Sequence, residues 1–387
     1  MTDRADFTTR AVRAGLDSDP VTGAVVPPLH LTTNFTFESF GNKRKYDYSR
    51  SGNPTRDLLG DALADLEDGA GAVITSSGMS AITVVGHLLP QGARIVAPHD
   101  CYGGTYRLFA AWQRRGELQV DFVRFADSEA LEAALAKPTA LVWIETPSNP
   151  LLRITDIAAL AQRAHAAGAL VAVDNTFLSP AWQRAIPLGA DLVVHSTTKY
   201  LNGHSDVIGG AVISATRALH DQVAWWANCL GLTGSSFDSF LTLRGLRTLQ
   251  ARLAVHGHNA QALAQWLAVQ PGLLQVHYPG LPSHPDHALA ARQQNGFGAI
   301  ITIELEGGTE AVRRFVDGLQ CFSLAESLGG VESLVAHPAT MTHAAMDAAS
   351  RQAAGLSDGL LRLSIGIEAL QDLQADLAAG LERARNG

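Results

Sequence analysis

Between about residues 70 and 215, short runs of β-branched and aliphatic residues alternate with segments of helical period, and no other feature constrains the chain as much. Strands separated by helices pair in parallel, because each crossover helix returns the chain to the same end of the sheet and covers one of its faces. The runs that read as strands are Arg94 to Ala97, Leu118 to Phe125, Ala140 to Glu145, Ala169 to Asp174, Asp191 to Ser196 and Val207 to Ile213. Between them, Ile154 to Ala167 places Ile157, Leu160, Ala161 and Ala164 on one face of an amphipathic helix. The pattern predicts an α/β fold with a mostly parallel central sheet and helices on both faces. Open sheets of this kind bind ligands outside the carboxyl ends of their strands, so the residues that follow each strand are the candidates for chemistry.

The flanks differ. Pro27-Pro28, Gly41-Asn42 and Gly52-Asn53-Pro54 break any long element in residues 1–60, which read as an arm that packs on something else. Residues 61–248 form the α/β domain. Residues 249–387, with a helical stretch from Ala254 to Val269 and strands at Ala299 to Glu304 and Leu360 to Ile367, read as a smaller α+β C-terminal domain. A chain of 387 residues that is 47% hydrophobic has room for a large core in two or three domains, which excludes disorder. Its formal charge of −8 and the lack of a dense Lys/Arg block argue against a nucleic-acid partner. Cys101, Cys229 and Cys321 lack C-x-x-C spacing, which fits buried thiols in a reducing compartment and no structural zinc. The opening Met-Thr-Asp-Arg-Ala-Asp carries acids where an export signal is basic and apolar. Asp68 to Arg94 is too interrupted for a membrane span, so a soluble cytoplasmic protein is expected.

Of the 29 basic side chains only Lys43, Lys45, Lys137 and Lys199 are lysines. Lys43 and Lys45 sit in a polar Asn-Lys-Arg-Lys stretch and Lys137 precedes Pro138 at a surface turn. Lys199 differs, because it follows the apolar run Asp191 to Ser196 by three residues, where a strand end meets the ligand crevice. A buried lysine has a depressed pKa and serves as nucleophile and base, as condensation with an aldehyde requires. Reading Ser196-Thr-Thr-Lys199 as an S-x-x-K acyl-transfer motif fails, since S-D-N and K-T-G are absent and Ser196 ends a strand pattern.

Asp174 ends the strand Ala169 to Asp174, 25 residues before Lys199, so neighbouring strands can bring both to one crevice. A carboxylate there can hold a protonated ring nitrogen, although Asp-Asn after a strand is also an ordinary turn or cap. Ser76-Ser77-Gly78-Met79-Ser80 precedes an apolar-periodic segment and reads as a helix N-terminus, whose free N–H groups and dipole favour an anion. Hydroxyls of Ser196 and Thr198 can reach the same anion. Tyr102, after the strand ending near Ala97, is the candidate to stack on an aromatic ring, and a core tyrosine is the plainer alternative.

These segments together resemble the transsulfuration family of fold-type-I pyridoxal phosphate enzymes, which comprises cystathionine γ-synthases, cystathionine lyases and methionine γ-lyases. The likeness spans Tyr48 to Arg56, Ser77 to Ala81, Asp100 to Arg107, Glu145 to Pro150, Asp174 to Phe177, His195 to His204, Leu324 to Gly330 and His337 to His343. It implies pyridoxal 5'-phosphate as cofactor, with Lys199 as the Schiff-base lysine, Asp174 on the ring nitrogen, Tyr102 on the ring face and Asn149 beside them. Gly78, Met79, Ser196 and Thr198 would hold the phosphate, joined by Tyr48 and Arg50 from a neighbouring subunit, which gives the arm its purpose. The resemblance also implies a homotetramer built from catalytic dimers. The substrate set it implies is Arg362, Asn149 and Ser327 at the carboxylate, Glu326 at a distal ammonium, and Asp47 and Arg107 further out. In Leu361-Arg-Leu-Ser-Ile-Gly-Ile367 the period of two puts Leu361, Leu363 and Ile365 in the core and Arg362 on the opposite face.

Among these activities the likeness is greatest to the bacterial γ-synthases. It implies γ-replacement, in which the acyl group of O-succinylhomoserine is exchanged for cysteine to give cystathionine, in methionine biosynthesis. Lys199 would carry the protons, with Tyr102 sharing the work. Ser51 departs from the enterobacterial synthases, which have a second Arg there, and matches the γ-lyases. Elimination by a γ- or β-lyase is therefore the alternative. An NAD-dependent oxidoreductase on the same scaffold is poorly supported, because Gly69-Ala-Gly71 lacks the third glycine of G-x-G-x-x-G. His256-x-His258 and His284-x-x-His287 sit in polar context and read as solvated surface, so no metal site is expected.

Overall fold

The computed structural model describes residues 5–342, 351 and 354–386. His343, the last residue of the His337 motif, lies outside them, as do residues 1–4 and 387 of the expected arm and C-terminal domain. Seven strands build the larger sheet: β1 Gly71–Thr75, β2 Arg94–Pro98, β3 Gln119–Val123, β4 Leu141–Glu145, β5 Leu170–Asp174, β6 Leu192–His195 and β7 Gly210–Ser214. Their order is β1-β7-β6-β5-β4-β2-β3. From β3 to β6 every pairing is parallel. The interior strands are buried on both faces, with Val142, Ile144, Val171, Val173 and Val193 in one apolar cluster and Leu141, Trp143, Ala172, Leu192 and Val194 in the other. That split follows from the pleat, which turns successive side chains to opposite faces.

The run expected from Val207 becomes a strand only at Gly210, and β7 is antiparallel to both β6 and β1. Residues 196–209 contain no helix, so the chain turns back beside β6 instead of crossing over. A Cβ on Gly210 would lie 2.2 Å from the Ser77 carbonyl oxygen, so a glycine is needed where β7 passes under the turn after β1. β1 itself was not foreseen, and β3 is shorter than Leu118 to Phe125.

The second sheet contains β8 Leu273–His277, β9 Ile300–Leu305, β10 Ser323–Leu324, β11 Leu334–Ala336 and β12 Leu360–Ser364, in the order β10-β11-β12-β9-β8. Helix Leu249–Leu267 buries Leu253, His256, Ala260, Leu263 and Ala264 on one stripe. His256 is therefore in the core, its Nδ1 2.6 Å from the Ile365 carbonyl, and is not solvated surface. His284 is buried as well, and His287 Nδ1 lies 2.7 Å from the Pro279 carbonyl. Cys101 is buried and Cys321 half-buried. Cys229 is exposed, contrary to expectation, because helix Arg217–Leu230 turns Val223 and Ala227 inward and Cys229 away from them. Residues 15–53 carry no helix or strand beyond isolated bridges and leave Val21, Leu31, Phe37, Phe40 and Tyr48 exposed. Among the described residues no helix is long and apolar enough to cross a membrane.

Candidate active site

Strand order reverses at β2, which has β3 on one side and β4 on the other. Connections leaving the carboxyl ends of β2 and β4 diverge there and open a crevice. A cavity of about 290 Å³ occupies it, lined by residues that follow β1, β2, β4, β5 and β6 and by Glu326, Ser327 and Arg362 from the second sheet's side. Gly78, Met79, Tyr102, Asn149, Asp174, Ser196, Thr198, Lys199, Glu326, Ser327 and Arg362 all line it, so eleven residues from seven separate stretches of sequence meet in one place.

Lys199 lies in the non-helical return after β6, with its Nζ donating to Ser327 Oγ at 2.7 Å. Burial pulls its pKa down to about 8, the Arg362 guanidinium pushes the same way, and Glu326 opposes them. Asp174 ends β5, and its Oδ1 accepts the Thr176 N–H at 3.0 Å. Removal from bulk water raises its carboxyl pKa, against the Thr176 bonds and His195, which lower it. The Thr176 hydroxyl in turn accepts the Ser196 N–H at 2.9 Å, joining the ends of β5 and β6.

The helix expected after Ser77 is present as Gly78–His87, with Ser77 Oγ accepting the Ser80 N–H at 3.1 Å. Helix geometry leaves the Gly78 and Met79 N–H groups without acceptors of their own helix. A Cβ on Gly78 would stand 2.9 Å from Ser196 Cβ and 3.2 Å from its Oγ, so only glycine lets the helix start rest on that hydroxyl. Thr198 Oγ1 accepts the Gly209 N–H at 3.0 Å.

Arg362 sits in β12, whose residues are all buried, so the period-two reading placed it on the correct face but that face is interior. Its Nη1 donates to Asn149 Oδ1 at 3.2 Å and its Nη2 to the Ser327 carbonyl at 2.8 Å, while Nε is buried without a partner. Burial lowers its pKa to about 10, opposed by Glu326, Tyr200 and Tyr102, so it remains a cation at neutral pH. A buried cation with an unused donor suits a carboxylate.

Asp47, Tyr48, Arg50 and Arg107 are not among the cavity residues. Arg107 is exposed on helix Gly103–Arg114. Arg50 stacks its guanidinium 5.1 Å from the Tyr48 ring centroid and donates from Nε to Asn228 Oδ1 at 3.0 Å. Asp47 and Arg50 line a separate surface cavity with Lys43, Lys45 and Asp57. Residues that sequence reasoning did not assign to the site include Glu145, Thr176, Phe177, Ile208 and Thr342. Glu145 was detectable in principle, since it ends an apolar strand as Asp174 does.

The donor set fits the chemistry of pyridoxal phosphate. An amine whose pKa burial pulls down to about 8, a carboxylate without a cationic side chain bonded to it, and a glycine helix start flanked by two hydroxyls face one space. The model of the Cys/Met metabolism PLP-dependent enzyme family matches residues 8–382. The chain is 54% identical to cystathionine γ-synthase of Escherichia coli (strain K12) over 98% of each chain. It is 45% identical to cystathionine β-lyase of Coxiella burnetii, again over 98% of each. The crystal structure of cystathionine γ-synthase from Xanthomonas oryzae pv. oryzae in complex with cystathionine superimposes with a TM-score of 0.97 at 62% identity, over 98% of this chain and 99% of that one.

Proposed function

The chain belongs to the Cys/Met metabolism PLP-dependent enzyme family, and from that membership we propose that it exchanges the acyl group of an O-acylhomoserine for L-cysteine, giving L-cystathionine. The succinyl ester is the proposed donor. The observation that carries this choice is the gradient of likeness, 62% and 54% to two γ-synthases against 45% to a β-lyase, each over nearly the whole chain.

Pyridoxal phosphate, when bound, supplies an electron sink that stabilises negative charge developed on the substrate α-carbon. In this reading Lys199 holds its aldehyde carbon, Asp174 its ring nitrogen, Tyr102 its ring face, and Gly78, Met79, Ser196 and Thr198 its phosphate, with Asn149 beside them. Arg362, with Asn149 and Ser327, orients the substrate carboxylate. Lys199 Nζ, once free, takes the proton from Cα and then helps remove one from Cβ, with the Tyr102 hydroxyl sharing that work. The Cγ–O bond then breaks with its electron pair leaving on the carboxylate, the cysteine sulfur, its thiol proton given up, forms the new bond at Cγ, and Lys199 Nζ with the Tyr102 hydroxyl returns protons to Cβ and Cα. Glu326 meets the distal ammonium of cysteine or cystathionine.

Residues 1–60 are read as an arm that delivers Tyr48 and Arg50 to the phosphate of a neighbouring subunit, in a cytoplasmic homotetramer built from catalytic dimers. Its exposed Leu31, Phe37 and Phe40 support that assignment. Residues 61–248 are the proposed cofactor domain and 249–387 the proposed C-terminal domain, with Asp47 and Arg107 as outer substrate contacts. Incubation with O-succinylhomoserine and cysteine should yield cystathionine. Rapid pyruvate or 2-oxobutanoate from cystathionine with negligible synthesis would establish the lyase alternative, which Ser51 favours; its hydroxyl bonds Asp47 and adds no charge.

A further inference from the structure

β4 and β5 end side by side with Glu145 and Asp174 as register partners. The pleat puts both on the face shared by Trp143 and Ala172, and both line the cavity. Glu145 is 5% exposed, and its Oε2 accepts the backbone N–H of Tyr102 at 2.7 Å. Tyr102 is the N-cap of helix Gly103–Arg114 and makes no capping bond with its own side chain. A carboxyl group from a neighbouring strand end thus stands at the positive end of that helix. The Tyr102 ring is 40% exposed and on its inner edge rests on Gly104, where a Cβ would lie 2.4 Å from Tyr102 Cε1 and 2.7 Å from Met79 Sδ.

We infer that Glu145 is a positioning residue, which by accepting the Tyr102 N–H fixes the Tyr102 ring over the cavity and so tightens cofactor binding. The inference rests on the reading that pyridoxal phosphate lies in this cavity against Tyr102. The role requires an acceptor oxygen and not a charge. Asp174 and Asp100 face Glu145 as like charges, and burial together with Asp174 pushes its pKa well up. The amide of Glu145→Gln retains the acceptor and removes the acid, whereas Glu145→Leu removes both.

The test is titration of the cofactor-free protein with pyridoxal phosphate, read together with the visible circular dichroism of the loaded protein. Glu145→Gln should bind within about threefold of wild type. Loss of one buried hydrogen bond should weaken Glu145→Leu about tenfold, with a smaller dichroic band. In a Tyr102→Leu background the same change should add nothing, since the effect passes through Tyr102. Gly104→Ala, which crowds the ring while leaving Glu145 in place, should also weaken binding, and by less in that background, where only its contact with Met79 remains, so a Glu145→Leu protein that does not fold leaves the ring placement testable. Additive effects with Tyr102→Leu, or Glu145→Gln as weak as Glu145→Leu, would overturn the role. Wild-type protein that takes up no pyridoxal phosphate would instead sink the reading of the cavity itself.

Discussion

Lys199 and Ser327 meet across the cavity, 128 positions apart in sequence, with the lysine amine donating to the serine hydroxyl at 2.7 Å. Ser327 holds a φ of 88°, a conformation that costs a non-glycine residue on the order of 1–3 kcal/mol. Its carbonyl accepts from Arg362, so one strained residue joins the amine of the first sheet's side to the guanidinium of β12.

That lysine links stability to pH. Burial holds its folded pKa near 8 against an ordinary 10.5, so between those values the unfolded chain binds more protons than the folded one. The site's contribution to stability therefore rises with pH from about 8 to 10.5, and below pH 8 the buried ammonium costs on the order of 3 kcal/mol. Lys199→Met should stabilise the cofactor-free protein by that order at pH 7, with the gain shrinking towards pH 10.5. Denaturant titrations at the two pH values measure this, and equal midpoints at pH 7 would contradict it. The same variant should lose turnover by about 10³-fold or more.

Arg362→Lys keeps the charge but cannot serve Asn149, Ser327 and a carboxylate together. The expected result is a fall of about 10- to 100-fold in kcat/KM for the amino-acid substrate, corresponding to about 1.5–3 kcal/mol of charge-assisted bonding. Cofactor absorbance should be unchanged; a variant with wild-type kcat/KM would remove Arg362 from substrate binding.

Gly78→Ala places a methyl 2.9 Å from Ser196 Cβ. The helix start must shift at a cost of about 1–3 kcal/mol, and pyridoxal phosphate should bind about tenfold or more weakly. Adding Ser196→Gly removes the contacting carbon but also a hydroxyl assigned to the phosphate, so it should restore part of the folding stability in denaturant titrations and none of the affinity. Equal affinity of Gly78→Ala and wild type in an equilibrium titration would show that the phosphate does not rest there.

Behind the cavity, His195 Nε2 lies 2.6 Å from Glu67 Oε1, both side chains are fully buried, and Asn175 also donates to that oxygen at 2.9 Å. His195→Leu leaves Glu67 Oε1 with Asn175 as its one remaining hydrogen-bond partner and should cost about 1–3 kcal/mol. Glu67→Leu combined with His195→Leu should recover much of this, because both polar partners are then replaced by apolar groups. Chemical denaturation of both proteins decides it; a double variant no more stable than the single one would argue against an unsatisfied polar partner as the cause.

Much of the site was legible because strand ends are local signals. An apolar run that stops at Asp174, or that is followed at short range by Lys199, marks a crevice wall without knowledge of its neighbours. Ser77-Gly78 was legible for the same reason, as a cap before a helical period. His256 was misread as surface because its polar neighbours in sequence are not its neighbours in the core. Arg362 has the local pattern of an outward strand residue, and only the packing of β12 makes it a buried cation.

By itself the sequence determined most of the segments that become strands and helices, β1 and the start of β7 excepted, and the apolar side chains that a regular pleat or turn sends inward, since those periodicities act over a few residues. Tertiary structure alone decided that β7 returns antiparallel, that Glu145 stands beside Asp174, and that Ser327 receives the Lys199 amine. Those contacts join residues tens to hundreds of positions apart. Their formation depends on strand order and on burial summed over the whole molecule, which no short stretch of chain encodes.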